Sequence, residues 1–436
     1  MRIGLQSWGT EGDLRPFLAL GRALQERGHR AELVFTSIEG KDFTTLAARA
    51  GVPTRFVGDQ HFIAHRDVVA QCARENLRAS PRRQFELILK DLMDPVVAPM
   101  LDAARVLAAE CDVVVGHFLA HTAPAAAAEH ARPYVLLALQ PVFASAHYPP
   151  AGAPALGRLL NPVLWKLADS VMARALLGRS NATRAHCGVP PAARFAPVDL
   201  GDPRAVLVAV SPSLFPRPRD WQARIEVCGF LDLAETTAAW TPAPHVERFL
   251  AAGAPVFLSF GSLFGLDDGQ TLESIEIFAA ALALAGARGV IQAPAAVTAR
   301  APRSDRICYL ERAPHAQLFP RCSAIVHHGG VGTMQSAVLS GRGSVVVPHA
   351  ADQFYWADLL YARGVAAKPL RRRMLAARPL AHRIRAVLDD PAIATRAGAL
   401  AAALRGEAGA ERAAELIVRT ALADTRSPDA ASRRRS

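Results

Sequence analysis

Lysine is scarce in this chain. Four lysines (Lys41, Lys90, Lys166 and Lys368) stand among 50 basic residues, so the formal charge of +11 is carried by arginine. The arginines are scattered, and no basic run is interleaved with aromatics, which make up 6% of the sequence. That excludes a stacking, phosphate-tracking nucleic-acid surface. The two local runs, Arg371-Arg372-Arg373 and Arg433-Arg434-Arg435, read as a solvated loop and a frayed end, with weak attraction to anionic lipid as the lesser alternative. Cysteine is sparse as well. Cys72, Cys111, Cys187, Cys228, Cys308 and Cys322 are far apart with no CxxC pair, which excludes a zinc site or a disulfide framework and fits a reducing cytoplasm. No uncharged apolar run reaches the roughly 18 residues of a membrane-spanning helix. The first residues, Arg2 to Ser7, read as a strand rather than a leader peptide. The expected location is the cytoplasm, with peripheral membrane contact as its extension.

What the sequence does hold is a dense block between Ser323 and Gln353. Ser323-Ala324-Ile325-Val326 reads as a short buried strand, His327-His328-Gly329-Gly330-Val331-Gly332-Thr333 as a glycine-rich turn, and Met334 to Leu339 as the opening of a helix. A strand, a glycine turn and a helix N-terminus together make an anion site. Glycines let the backbone come close, and the unpaired N–H groups and positive dipole end face the anion. Two imidazoles beside the turn add donors for a diphosphate. The block lacks the lysine of a Walker loop and the spacing of the dinucleotide fingerprint.

A chain of 436 residues, 51% apolar and 20% charged, has the length for two or three domains. Its two halves repeat one plan. In the first, a strand (Ile3 to Ser7) meets a loop Gly9-Thr10-Glu11-Gly12-Asp13. A helix with Phe17, Leu18, Leu20, Ala23 and Leu24 on its apolar face follows, and Ala31 to Thr36 makes the next strand. Such βαβ units stack into a parallel, doubly wound sheet. Strands are also expected at Val113–Gly116 and Tyr134–Ala138. The second half restarts at Val256 to Ser262 and continues with a helix Leu272–Ala285 and strands at 290–292, 307–310, 324–327 and 344–348. Proline-rich connections at 211–218 and 240–244 put the boundary near 230–248. The expected division is an N-terminal domain over 1–235, a C-terminal domain over 246–405, a C-terminal helix over 406–423 and a disordered tail over 424–436.

With Pro348-His349-Ala350-Ala351-Asp352-Gln353 after it, the glycine block resembles the donor-binding signature of the UDP-glycosyltransferase superfamily. Gly9 to Phe17 resembles the N-terminal loop of that superfamily's sterol glucosyltransferase, rhamnosyltransferase and antibiotic glycosyltransferase branch. The resemblance implies an α/β protein of the GT-B class, two Rossmann-like doubly wound lobes facing across a cleft. It implies an inverting hexosyltransferase that uses a nucleotide diphosphate sugar, UDP-glucose by first expectation, and needs no metal or other cofactor. No DxD pair is present; Asp267-Asp268 is adjacent. The alternative from another class is a GT-B nucleotide-sugar epimerase or a binding protein without turnover. An epimerase needs carboxylates around the donor sugar, and none stand at recognisable spacing.

Sugar transfer to a hydroxyl needs a base for its proton. The resemblance assigns that role to Asp13; the competing reading is an N-cap of the following helix. His117, after the strand at 113–116, falls where plant members carry the Asp that supports a catalytic His. It reads either as the partner of Asp13 in a dyad with the two residue types exchanged, or as a packed or pocket-lining side chain. For the donor, the resemblance implies Gly12, Ser262, His327, Gly330, Gly332 and Thr333 around the diphosphate, with His328 facing structure. Asp352 and Gln353 would meet sugar hydroxyls, and Arg312 and Ala313 the nucleobase. Ser262 also reads as ordinary turn chemistry. Gln335 replaces the ribose-binding Glu, Arg312 replaces a stacking aromatic, and Gly341-Arg342-Gly343 replaces Gly-Val-Pro, which leaves UDP and dTDP both open.

For the acceptor, Trp8, Phe118, Phe143, Tyr148 and Trp165 supply aromatic surface. Leu156, Leu159, Leu160, Val163, Leu164, Leu167, Val171 and Leu176 make a nearly helical stripe, with Arg158, Lys166 and Arg174 elsewhere. Core packing is the first reading of the stripe. The resemblance offers a hydrophobic acceptor tunnel, and with it a sterol, lipid or polyketide-like alcohol as substrate.

Overall fold

The structure is a computed structural model that describes residues 1–154, 156–193, 201–233, 240–261, 268–350 and 352–425. Ser262, Asp267, the centre of the expected domain connection and the tail beyond Thr425 lie outside the described residues.

The chain divides into two compact units. The first takes Met1–Val69, Phe85–Glu235 and the C-terminal segment from Glu407; the second takes Ala70–Gln84 and Thr236–Gly406. Two features of this division were not in the expected domain ranges: the short segment 70–84 belongs with the second unit, and the last helix, Gly409–Thr425, belongs with the first.

The first unit is built on a seven-stranded sheet: β1 (Arg2–Gly9), β2 (Arg30–Ser37), β3 (Thr54–Phe56), β4 (Val113–His117), β5 (Tyr134–Ala138), β6 (Ala205–Val208) and β7 (Ile225–Val227). The order is β3-β2-β1-β4-β5-β6-β7, all parallel. Val113–Val115 and Tyr134–Ala138 are continuous apolar runs because strands of a parallel sheet are covered on both faces. The helix Glu11–Glu26 lies against the core through Leu14, Phe17, Leu18, Leu20 and Leu24. Ala413, Ala414, Leu416 and Ile417 of the last helix join that same core.

The second unit carries five parallel strands: β8 (Val256–Leu258), β9 (Gly289–Gln292), β10 (Ile307–Leu310), β11 (Ala324–His327) and β12 (Gly343–Val346). Their order is β10-β9-β8-β11-β12. Both sheets are therefore open and doubly wound. In each, the chain starts near the middle, builds outward to one side, then crosses back: β1 neighbours both β2 and β4, and β8 neighbours both β9 and β11. Ligands of such sheets sit outside the carboxyl ends of the two strands where the winding reverses. In the first unit those ends carry Asp13 and His117. In the second they carry Gly261 and His327-His328-Gly329.

The stripe from Leu156 to Leu176 does not pack as a core. Of its members only Leu176 is buried on the helix Asn161–His186, while Leu156, Leu159, Leu160, Val163 and Leu167 are exposed. The side facing the unit is instead Asn161, Trp165, Leu176, Ser180 and Thr183.

Candidate active site

In the first unit, β1 ends at Gly9, whose φ of +130° suits glycine. A Cβ there would collide with the Asp13 carboxylate, so glycine also makes room for Asp13 to fold back. Thr10 is the N-cap of the helix that begins at Glu11, and Asp13 stands three residues later. The expected competing role was the cap itself; Asp13 occupies instead the N3 position of a capping box. Its Oδ2 accepts the Thr10 N–H at 2.8 Å and the Thr10 hydroxyl at 3.0 Å. Gly12 lies in the same first turn.

The other oxygen, Oδ1, faces His117 Nε2 at 3.9 Å. That is longer than a hydrogen bond and within the distance a small side-chain movement closes. Gly116 pairs with Gln6 across β4 and β1, so register alone brings the end of β4 beside the loop after β1. The Leu119 N–H donates to His117 Nδ1 at 3.4 Å. The ring proton therefore sits on Nε2 and points toward Asp13. Burial shifts both groups toward their neutral forms. The Asp13 carboxyl is pushed up to about 6, opposed by the two Thr10 hydrogen bonds, and the His117 imidazole is pushed down to about 3. Asp13 still keeps 29% of its side-chain surface open.

The aromatic side chains expected at an acceptor surface are buried. Trp8 is the next-to-last residue of β1, and Phe118 packs its ring 4.8 Å from that of His117. Phe143 and Tyr148 belong to a cluster with Trp165, Phe215 and Trp221, joined by edge-to-face contacts at 5.2–6.1 Å. The Tyr148 hydroxyl donates to the Phe143 carbonyl at 2.5 Å and Trp165 Nε1 to the Tyr148 carbonyl at 2.8 Å. Their polar handles are used within the cluster, so Phe143, Tyr148 and Trp165 form its packed frame rather than an open wall.

In the second unit, β11 ends at His327, which is fully buried; its Nδ1 accepts the Gly329 N–H at 3.2 Å and its Nε2 has no partner among the described residues. His328 lies just past the strand, between two glycine turns. A Cβ on Gly261 would come within 2.7 Å of its ring, and one on Gly330 would overlap its Nε2. The expectation gave His327 to the diphosphate and His328 to structure; both imidazoles are buried, each with one ring nitrogen, His327 Nε2 and His328 Nδ1, without a partner among the described residues. The strand end buries the first imidazole within the sheet, and the second, also buried, packs against the turns at Gly261 and Gly330. Burial pushes His327 down to about 3 and His328 to about 4, so both are neutral donors or acceptors near neutrality.

Gly330 is the N-cap of the helix Val331–Leu339, with no side chain capping it. The first-turn N–H groups, from Val331, Gly332 and Thr333, are thus of the kind that anions satisfy. Gly332 is exposed; Thr333 and Gln335 are half-buried on the same turns. Arg312 and Ala313 lie in the loop between β10 and the short helix His315–Leu318, Arg312 exposed. Asp352 is the N-cap position of the helix Gln353–Ala362, and its Oδ2 accepts Trp356 Nε1 at 2.9 Å. Gln353 Oε1 accepts the N–H groups of His349 and Ala350 at 2.8 and 3.2 Å. One acceptor on each of the two expected sugar contacts is therefore spent on shaping the loop.

Sequence reasoning missed His349. Its Nδ1 donates to the Val347 carbonyl at 2.7 Å, and its ring packs against Phe260 at 4.5 Å and lies 6.3 Å from that of His328. It had served only as spacing inside the Pro348-to-Gln353 pattern, and no periodicity marks it. Among the described residues no group of three or more His, Cys, Asp or Glu side chains is arranged to hold a metal ion, and no helix is long and apolar enough to cross a membrane.

Residues 292–421 match the C-terminal domain of the erythromycin biosynthesis protein CIII-like family. Over 434 residues, 96% of this chain and 97% of the relative, the sequence is 32% identical to the O-mycaminosyltylonolide 6-deoxyallosyltransferase of Streptomyces fradiae. It is 28% identical to the sterol 3-beta-glucosyltransferase UGT80A2 of Arabidopsis thaliana, over 94% of this chain and 64% of that protein. Among solved structures, the glycotransferase of kitacinnamycin superposes with a TM-score of 0.68 at 23% identity, covering 96% of this chain and 98% of its own. The glycosyltransferase VinC, in complex with dTDP, gives 0.66 at 19% identity, with 97% and 100% covered. With a relative similar over its whole length and two doubly wound parallel sheets, the chain belongs to the antibiotic and sterol branch of the UDP-glycosyltransferase superfamily and is a glycosyltransferase of the GT-B fold.

Proposed function

We propose that this glycosyltransferase moves a hexose from a nucleoside diphosphate sugar to a hydroxyl of an apolar acceptor, with inversion and without a metal, and that Asp13 is its base. The observation that carries the proposal is the Asp13 carboxylate: partly open, raised to about 6, and faced by the neutral Nε2–H of His117. A base with a pKa just below the working pH is ionised yet still basic enough to take a proton from an alcohol in the transition state. His117 is protonated on the nitrogen that faces Asp13, so in this reading it orients and stabilises the carboxylate and does not accept the proton. One displacement at the anomeric carbon, with Asp13 removing the hydroxyl proton as the new bond forms and the nucleoside diphosphate leaves, inverts the configuration.

On the donor side, His328, the first-turn amides of the helix Val331–Leu339 and Thr333 would stabilise the charge that develops on the leaving diphosphate. Gln335 would meet the ribose, Arg312 and Ala313 the base, and Asp352 and Gln353 the sugar. The Streptomyces fradiae relative is named for transfer of 6-deoxyallose to O-mycaminosyltylonolide, the Arabidopsis thaliana relative for a sterol, and VinC is solved with dTDP. These names support an apolar alcohol as acceptor, and a dTDP-6-deoxyhexose joins UDP-glucose as candidate donor. The test is a panel of UDP- and dTDP-hexoses with a macrolide aglycone, a sterol and a flavonoid, read by release of the nucleoside diphosphate. Release that depends on the acceptor supports transfer. Release that ignores the acceptor, or none with any pair, counts against it.

A further inference from the structure

The apolar stripe at the head of the helix Asn161–His186 faces away from the buried side of that helix. Leu159 is 91% exposed, Leu167 65%, Val163 59%, Leu160 50% and Leu156 48%. Spacings of three, four and seven residues put Leu159, Leu160, Val163 and Leu167 on one stripe, since the chain already turns helically from Gly157, whose carbonyl accepts the N–H groups of Leu160 and Asn161; Leu156 lies just before that turn. Asn161, Trp165, Leu176, Ser180 and Thr183 hold the opposite side against the unit. Single exposed apolar residues are ordinary; four on one helical face mark an interaction surface.

The exposed charges on the segment itself have one sign, while Arg158 also meets His147, which faces Asp220 at 3.9 Å. Arg158, Lys166 and Arg174 are exposed, and the one acid between Leu156 and Gly178 is Asp169, half-buried, with its Oδ1 buried without a partner and its carboxyl raised toward the neutral form by burial. Exposed aromatic anchors, which dominate the hot spots of protein interfaces, are missing here: the patch is leucine and valine, types under-represented at such spots. A leucine face flanked by arginine and lysine has the makeup of a helix that lies in the headgroup region of a bilayer. Anionic lipid adds favourable electrostatics for each basic residue held near its surface.

We propose that this face docks the enzyme on an anionic lipid bilayer, with Leu159, Val163 and Leu167 entering the interface and Lys166 and Arg174 meeting the headgroups. The inference does not depend on the assignment of donor or base.

Co-sedimentation with vesicles tests it, using phosphatidylcholine alone and phosphatidylcholine with about one third phosphatidylglycerol. The full chain is expected to pellet with the anionic vesicles and to remain largely in solution with the neutral ones. The triple variant L159S/V163S/L167S should partition at least about tenfold less, because each exposed side chain loses its apolar contact with lipid. K166E/R174E should lose the preference for anionic vesicles, and it keeps the proposal testable should the triple variant fail to fold by circular dichroism. Unchanged pelleting of both variants overturns the proposal. So does a wild-type chain that stays in the supernatant with both vesicle types, including one that light scattering finds paired through this face.

Discussion

Asp13 divides its two oxygens between two jobs. Oδ2 closes a capping box with Thr10, worth on the order of 1 kcal/mol to the helix start, and Oδ1 is left facing His117. Because the carboxyl is raised to about 6, a reaction that needs it ionised should lose kcat/KM as pH falls through about 6 and level off above. If His117 were the base, the corresponding limb would lie near 3, where burial has placed its own titration. A pH–rate profile separates the two. The variant H117A removes a neutral donor from beside the carboxylate, so its acid limb should move to higher pH while donor KM holds. A limb that stays in place would leave His117 as packing against Phe17 and Phe118.

At the scale of elements, both sites are ends of adjacent strands, and small shifts of a strand end decide which side chain is presented. Strand β11 runs through His327, so that imidazole is buried within the sheet, and the next one, also buried, packs against the glycine turns. H328A should therefore raise donor KM and lower turnover, whereas H327A should act mainly on thermal stability, by leaving a cavity in the sheet. G330A makes the same point without touching an imidazole. Its Cβ would land on His328 Nε2, so donor binding should weaken with little change in melting temperature, measured by calorimetry and by nucleotide titration. A donor defect in H327A with H328A silent would return the diphosphate to His327.

These elements also mark where the sequence could be read and where it could not. The strands at 134–138 and 324–327 stand where apolar runs put them, because burial on both faces leaves an uninterrupted signature, and the half-buried edge strand at 307–310 also stands where it was read. The short strands β3, β6 and β7 escaped notice, three or four residues each with no alternation to betray them. Which of His327 and His328 faces the turn depends on the last residue of a strand, and composition does not fix that. The stripe at Leu156–Leu176 shows the same limit. Helical spacing identifies an apolar face and says nothing of what covers it.

Across the whole molecule, the last helix returns to the first unit, and Ile417 is buried in the core that holds Leu14 and Phe17. I417A should cost the first unit about 2–4 kcal/mol and leave the unfolding of the second unchanged, as denaturant titration of the full chain would resolve if the units unfold separately. Equal shifts in both units would show that they unfold together.

The claim at the centre of this account is that a GT-B glycosyltransferase takes the acceptor proton with Asp13. The direct measurement is acceptor-dependent release of nucleoside diphosphate by D13N beside wild type, with donor affinity titrated on both. The account predicts a loss of about 10²–10⁴ in turnover with donor affinity nearly unchanged. Near-wild-type turnover in D13N would contradict it and leave Asp13 with its capping box alone.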